Sequence, residues 1–135
     1  MSALTVQDWL TSSGKYAWRA THIEVTPEVL ASAKDLVERI NAILKDLRIY
    51  NAKFSSGFRP SDVNKKTPGA SKKSGHMTGT SADLEDKDGN LDFQMTMNPR
   101  VLIKHGLYQE DPRHTEGWAH CQSLPPKSGK RVFIP

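Results

Sequence analysis

Residues 26–47 read TPEVLASAKDLVERINAILKDL, and this stretch decides the framework of the fold. Its apolar positions recur every three or four residues: Val29, Leu30, Ala33, Leu36, Val37, Ile40, Ile43, Leu44 and Leu47. That spacing predicts a helix over 27–47 with one apolar face turned to a core. Thr26 suits the N-cap of this helix and Pro27 its first position. We therefore expect the helix to form the back of the core.

Shorter elements are predicted after this helix. Alternating residues predict a strand at 52–58, and further strands are predicted at 80–85, 117–122 and 130–134. Short helices are predicted at 61–66 and 98–105, a Gly-, Ser-, Lys- and Pro-rich loop at 67–76, and a turn at 88–90. One long helix followed by mixed short elements predicts an α+β fold with a small, mostly antiparallel sheet.

The chain of 135 residues, 36% of them hydrophobic, fits one domain with a modest core. We expect residues 1–135 to form this single domain. Residues 1–25 are expected to be an N-terminal leader segment packed on it, with Trp9, Tyr16 and Trp18 as apolar anchors. The single cysteine, Cys121, excludes an intrachain disulfide and a multi-cysteine zinc cluster, so His and carboxylate side chains must hold any metal.

The net charge of +4 favours an anionic partner, which composition alone leaves open as nucleic acid, membrane or cell wall. The argument for nucleic-acid binding rests on this charge only, because no strand alternates aromatic residues with arginine. We therefore expect no nucleic acid partner. No stretch approaches the ~20 apolar residues of a membrane span, so no membrane insertion is expected. The N-terminal residues resemble no signal peptide, which predicts synthesis in the cytoplasm.

A histidine and an aspartate stand close together in residues 74–83, which read SGHMTGTSAD. His76 enters from the predicted loop, and Asp83 follows seven residues later in the predicted strand. A loop leading into a strand can bring both side chains to one metal ion, and Gly79 allows a sharp turn between them. Spacing alone leaves two interpretations of His76 open: a metal ligand, or a solvated side chain.

Two further blocks carry candidate site residues. Residues 116–122 read EGWAHCQ, and in a strand His120 shares a face with Trp118 and Gln122 while Cys121 points away. His120 can then supply a third metal ligand, whereas Cys121 is expected to be a small buried core residue. Residues 55–60 read SSGFRP, in which the arginine follows a predicted strand and can pair with a carboxylate or polarise a carbonyl.

Together these blocks resemble the zinc D-alanyl-D-alanine metallopeptidase family. That family includes D-Ala-D-Ala carboxypeptidases, vancomycin-resistance dipeptidases and phage L-alanyl-D-glutamate endolysins, and the Hedgehog signalling domain shares its fold. The family pattern is Ser-Gly-aromatic-Arg, then Ser-x-His-x-x-Gly-x-x-x-Asp, then Trp-x-His. Residues 56–59, 74–83 and 118–120 match it in the same order.

The resemblance implies a Hedgehog/DD-peptidase-like fold and a Zn2+ ion bound by His76, Asp83 and His120. Three protein ligands leave the fourth position of zinc open for water. Arg59 would orient the substrate or stabilise the developing oxyanion. The family mechanism also needs a carboxylate as general base and then as acid to the leaving amine.

The chain departs from the family pattern at this base. Well-characterised relatives carry an acid three residues before the final histidine, where this chain has Gly117. Glu116 lies one residue earlier and would share the face of His120 in a regular strand. We therefore predict Glu116 as the catalytic base, with a solvated loop acid as the alternative and with Asp111 and Glu85 as substitutes.

The function implied by the resemblance is hydrolysis of a stem-peptide bond in peptidoglycan, by a D-Ala-D-Ala carboxypeptidase or an L-Ala-D-Glu endopeptidase. The compact size and residues 83–86 and 127–135 resemble phage-encoded members, which implies a lytic enzyme reaching the wall at lysis or a virion component. The alternative is a non-catalytic zinc-binding virion or cell-wall-binding domain. We expect the protein to be a monomer.

Overall fold

The computed structural model describes residues 3–12 and 22–135, so the predicted anchors Tyr16 and Trp18 lie outside the described residues. The helices are α1 (Val6–Thr11), α2 (Pro27–Asp46), α3 (Ser61–Lys66), α4 (Gly75–Thr78), α5 (Asn90–Met97) and α6 (Pro99–His105). The strands are β1 (Phe54–Ser56), β2 (Ser81–Asp86), β3 (Tyr108–Glu110), β4 (Gly117–Gln122) and β5 (Val132–Phe133). A 3-10 turn covers Pro112–His114.

The long helix predicted from periodicity is confirmed as α2. Its N-cap, Thr26, accepts a hydrogen bond from the backbone N–H of Val29, and Pro27 occupies the first turn, where a missing N–H costs nothing. Its apolar face is buried in the core, where Ala33 and Leu36 have no exposed surface. Among the described helices, none has the length and apolarity that crossing a bilayer demands.

The five strands form one sheet in the order β1-β2-β4-β3-β5. All neighbouring strands are antiparallel except β3 and β5, which are parallel. The structure therefore confirms an α+β fold whose sheet is mostly antiparallel.

The two central strands separate the core from the other face of the sheet. Ala82 and Leu84 of β2 lie opposite Cys121 and Ala119 of β4, and all four side chains are buried in the hydrophobic core. Cys121 is thus the small core residue that the sequence predicted. Because side chains alternate along a strand, the residues between these positions project from the opposite face.

The structure corrects the predicted loop over 67–76. Its last two residues begin α4, and the hydroxyl of Ser74 accepts a hydrogen bond from the backbone N–H of His76 as an N-cap. His76 therefore lies in a one-turn helix and not in a loop. The Ser and Gly that indicated a loop act here as the cap and first residue of that helix.

Besides α4, the helices α1 and α5, the strand β3 and the 3-10 turn were not predicted. The apolar residues of α5 alternate as Leu91, Phe93, Met95 and Met97, a strand-like period, although the segment is helical. Phe93 and Met97 are exposed, so only part of that apolar set faces the core. The predicted strands at 52–58 and 130–134 are also shorter, because only the residues of β1 and β5 join the sheet.

Candidate metal centre

Two of the candidate ligands are supplied by the paired central strands. Asp83 of β2 and His120 of β4 are direct partners in the antiparallel ladder. Directly opposite residues of such a ladder project to the same side with their Cβ atoms about 5 Å apart. The sheet thus fixes the separation of this carboxylate and this imidazole without help from a loop.

The third ligand is carried by α4. Gly79 ends this helix in the left-handed conformation, with φ of 84°, and turns the chain into β2. A Cβ at this glycine would lie 2.4 Å from the carbonyl oxygen of Val29, so the turn is also packed directly on α2. This packing holds His76 beside the strand that carries Asp83.

The three side chains converge as the sequence predicted. His120 Nδ1 lies 2.8 Å from Asp83 Oδ1, and His76 Nε2 lies 3.5 Å from Asp83 Oδ2. One potential ligand atom from each residue lies within 4.8 Å of the others, and the two imidazole centroids are 5.8 Å apart. Two nitrogens and one carboxylate oxygen in this arrangement suit a divalent ion with an open position.

The outward nitrogen of each imidazole has its own acceptor. His76 Nδ1 lies 2.8 Å from the carbonyl oxygen of Gly57, to which only a protonated Nδ1 can donate. His120 Nε2 lies 2.9 Å from Oε1 of Gln122, whose amide nitrogen donates in turn to the carbonyl of Leu124. When each imidazole carries a single proton, on this outward nitrogen, Nε2 of His76 and Nδ1 of His120 present lone pairs to the centre, so the donor set fits zinc.

Electrostatics tie the aspartate to both imidazoles. Burial opposes ionisation of Asp83, but hydrogen bonds from His120 and His76 hold its pKa well below the usual range. Burial alone would lower the pKa of His120, yet the hydrogen bond and charge of Asp83 outweigh it and raise that pKa. The carboxylate of Asp83 is therefore ionised and available to bind a cation. Protons compete with the metal for the imidazole of His120.

Arg59 lies at the edge of the same centre. Its backbone N–H donates to the carbonyl of His76, and its Nη1 donates to Oδ1 of Asn64 at 3.3 Å. Burial lowers the pKa of the guanidinium and the charge of Asp83 opposes that shift. The residue is nine-tenths or more buried and lines the same cleft, so its position is set by the protein and not by solvent.

A cleft of about 770 Å³ opens over the triad. Its walls include Arg59, Trp118 and Glu110, and exposed Lys73 and Lys127 stand on its rim. The cleft therefore combines a metal-binding floor with cationic edges. This combination suits a peptide that carries carboxylates.

Glu116 is placed differently from the other predicted site residues. Strand β4 begins at Gly117, so Glu116 lies in the preceding turn and the strand-face argument made for it does not apply. Its side chain is exposed and is not part of the cleft wall, and the same holds for Glu85. Asp111 is engaged with Arg113 in an ion pair of 2.9 Å. The catalytic role of Glu116 stays a prediction.

Sequence reasoning did not assign roles to Gln122 or Glu110. The alternation of β4 already placed Gln122 beside His120, and a polar side chain two residues from a ligand was an available signal. Glu110 gave no such signal, because it belongs to β3, which the sequence did not predict.

Replacing Gln122 by leucine is expected to weaken zinc binding about 10- to 100-fold, because His120 loses the acceptor that fixes its tautomer. Competition with a chromophoric chelator measures this affinity. The matched control is Gln7→Leu on the exposed side of α1, which should bind zinc like the wild type. Unchanged affinity in Gln122→Leu would remove Gln122 from the metal centre.

Comparison with known proteins agrees with this geometry. The family model for peptidase M15 matches residues 8–121, a span that contains all three candidate ligands and Arg59. Neither the search of curated proteins nor that of solved structures gave a significant match. With most of its length matched and with the ligands converged, the chain belongs to the peptidase M15 family of metallopeptidases.

Proposed function

We propose that the protein is a zinc-dependent peptidase that hydrolyses a bond in the stem peptide of bacterial peptidoglycan. The observation that carries this proposal is the convergence of His76, Asp83 and His120 on the floor of an open cleft. A structural zinc site is closed by four protein ligands, whereas a catalytic one keeps a position free on the substrate side. When bound, zinc would supply Lewis acidity to the scissile carbonyl and make water a stronger nucleophile.

The protein's own residues then position the peptide. Arg59 is held by Asn64 and by the backbone of His76, so its guanidinium can receive a substrate carboxylate or a developing oxyanion with little reorganisation. Trp118 offers an apolar wall beside the ligands. A rigid donor next to the scissile bond favours the transition state over the ground state.

Charge supports an anionic peptide as the substrate. Lys73 and Lys127 lie on the rim of the cleft, and Arg59 lies inside it. Stem peptides carry free carboxylates on D-glutamate and at the terminal D-alanine. The chain's net charge of +4 adds a general attraction to the anionic cell wall.

The two candidate reactions are cleavage of the D-Ala-D-Ala bond and cleavage of the L-Ala-D-Glu bond. A defined pentapeptide muropeptide, digested with and without chelator and analysed by mass spectrometry, separates them. Loss of the terminal D-alanine identifies a carboxypeptidase, and cleavage between L-alanine and D-glutamate identifies an endopeptidase. Activity should disappear with chelator and return when zinc is added.

A non-catalytic zinc domain is the second candidate, and Gly117 favours it, because this position carries the acid in relatives. A Cβ there would meet open space, but φ of 90° disfavours any side chain. Both candidates bind zinc. A zinc-loaded protein that leaves the muropeptide and intact peptidoglycan uncut would support the non-catalytic domain and contradict the peptidase.

The route to the cell wall belongs to the same proposal. The resemblance of residues 83–86 and 127–135 to phage-encoded members supports a lytic enzyme released at lysis or carried in a virion. When the protein is added to a suspension of bacterial cells whose cell wall has been made accessible, the turbidity of the suspension should fall. The same protein treated with chelator should not lower it.

A further inference from the structure

Glu110 ends strand β3 beside the metal-binding strand. In the antiparallel β3–β4 ladder, Tyr108 pairs with Gln122 and Gln109 pairs with Cys121. The next residue of β3, Glu110, therefore lies on the His120 side of this register. Gln109 is fully buried on the core side. Alternation along the strand therefore turns Glu110 to the side of the sheet that carries the ligands.

Within the described part of the chain, the wall of the cleft has two side-chain carboxylates, Asp83 and Glu110. Both oxygens of Asp83 are directed at the imidazoles, Oδ1 to His120 and Oδ2 to His76. A ligand carboxylate in this arrangement cannot also exchange protons with the substrate. Among the described residues, Glu110 is the remaining acidic side chain in the wall of this cleft.

The environment of Glu110 suits proton transfer. Within residues 3–12 and 22–135 its carboxylate makes no hydrogen bond or ion pair that would hold it in place, in contrast to Asp111 next to it. Burial raises the pKa of Glu110, and the nearby His120 opposes that shift. A carboxylate that is more basic than usual is a more effective general base.

We propose that Glu110, from β3, is the catalytic residue that moves protons during peptide hydrolysis. This inference rests on the proposed peptidase function. The Glu110 carboxylate takes a proton as the water oxygen bonds to the scissile carbonyl carbon. It then gives that proton to the amide nitrogen as the C–N bond breaks, which leaves a carboxylic acid and an amine. Giving up that proton returns Glu110 to its ionised form, and the new carboxylic acid separately loses its own proton to solvent.

This assignment explains how a chain with Gly117 can still be an enzyme. Relatives place the acid on the metal-binding strand itself, just before the last histidine. Here a neighbouring strand places a carboxylate on the same cleft. The exposed Glu116 lies outside the cleft wall and competes with Glu110 for the role.

The test is Glu110→Gln, which keeps the shape of the side chain and removes its basicity. We expect kcat on the defined muropeptide to fall about 10²- to 10⁴-fold. Zinc content by elemental analysis should remain that of the wild type. The Kd of the zinc-loaded protein for the muropeptide, measured by calorimetry, should change less than about threefold, because the variant loses proton transfer and not binding.

Two matched variants complete the test. Glu38→Gln, on the exposed surface of α2, controls for a glutamate-to-glutamine change and should keep wild-type kcat. Glu116→Gln tests the competing acid. A large loss of kcat in Glu116→Gln together with wild-type kcat in Glu110→Gln would overturn the assignment.

The remaining outcomes are equally decisive. Loss of zinc or of muropeptide binding in Glu110→Gln, in parallel with kcat, would mean a structural role and would overturn the assignment. If wild type cleaves the muropeptide and Glu110→Gln does so equally well, only the inference about Glu110 fails. If wild type binds zinc but cleaves nothing, the proposed peptidase function fails and the assignment fails with it.

Discussion

Replacing His76 by alanine is expected to leave the protein without bound zinc and with peptidase activity lowered by roughly three orders of magnitude or more. The variant keeps one imidazole and one carboxylate, too few to hold zinc against dialysis. His76 is 4% exposed, so water cannot simply replace its nitrogen in a rigid site. Elemental analysis after dialysis and product release from the muropeptide measure the two effects.

The matched control is His105→Ala. His105 ends α6, and its Nε2 lies 2.7 Å from Asp46 Oδ2, in a hydrogen bond away from the cleft. This variant should retain one zinc per chain and wild-type turnover. Full zinc occupancy in His76→Ala would contradict the assignment of His76 as a ligand. Equal zinc loss in both variants would point to a general loss of structure.

The candidate metal ligands could be chosen from the sequence because each stands in a local pattern. A glycine between His76 and Asp83 indicates a sharp turn of the backbone, and His120 alternates with core residues in a strand. Convergence itself was not visible from spacing, since it depends on the pairing of β2 with β4. The resemblance to a known family supplied that long-range information, and the structure places the three residues together.

The elements α5 and β3, which the sequence did not predict, depend on tertiary contacts. The apolar residues of α5 alternate with a period of two, which is typical of a strand. The segment is nevertheless helical, and the carboxylate of Asp86 accepts hydrogen bonds from the backbone N–H groups of Leu91 and Asp92 in its first turn. Strand β3 has three residues and is ordered by its neighbours on both sides. Without β3, the position of Glu110 beside the cleft could not be inferred.

The largest effect on stability is expected for Trp9→Ala. The indole is fully buried, its Nε1 donates to the carbonyl of Ser81 at 3.0 Å, and its ring packs against Phe58 with centroids 5.7 Å apart. Truncating a buried aromatic side chain leaves a cavity and costs about 3–5 kcal/mol of the free energy of unfolding. Because a small domain is stabilised by only about 5–15 kcal/mol, this loss is large enough to populate unfolded chains at ordinary temperature.

Trp9 also connects α1 to the metal centre, which gives the same variant a second readout. The backbone carbonyl of Trp9 accepts from the N–H of Phe58, next to Gly57, whose carbonyl orients His76. A Cβ on Gly57 would lie 2.0 Å from the carbonyl oxygen of Trp9, so the two segments are in direct contact. Loosening this contact should therefore weaken zinc binding as well as folding.

Urea denaturation of the zinc-free and zinc-loaded proteins, followed by circular dichroism, measures both effects of Trp9→Ala. Phe93→Ala is the matched control, because Phe93 is 59% exposed and its removal should change the free energy of unfolding by less than about 0.5 kcal/mol. Trp9→Phe should fall between the two, since it keeps most of the apolar contact but leaves the buried carbonyl of Ser81 without its indole donor.

A loss below about 1 kcal/mol in Trp9→Ala would show that α1 adds little to the core, since a buried aromatic truncation costs several times more. The metal centre would then have to be held by α2, α4 and the sheet alone.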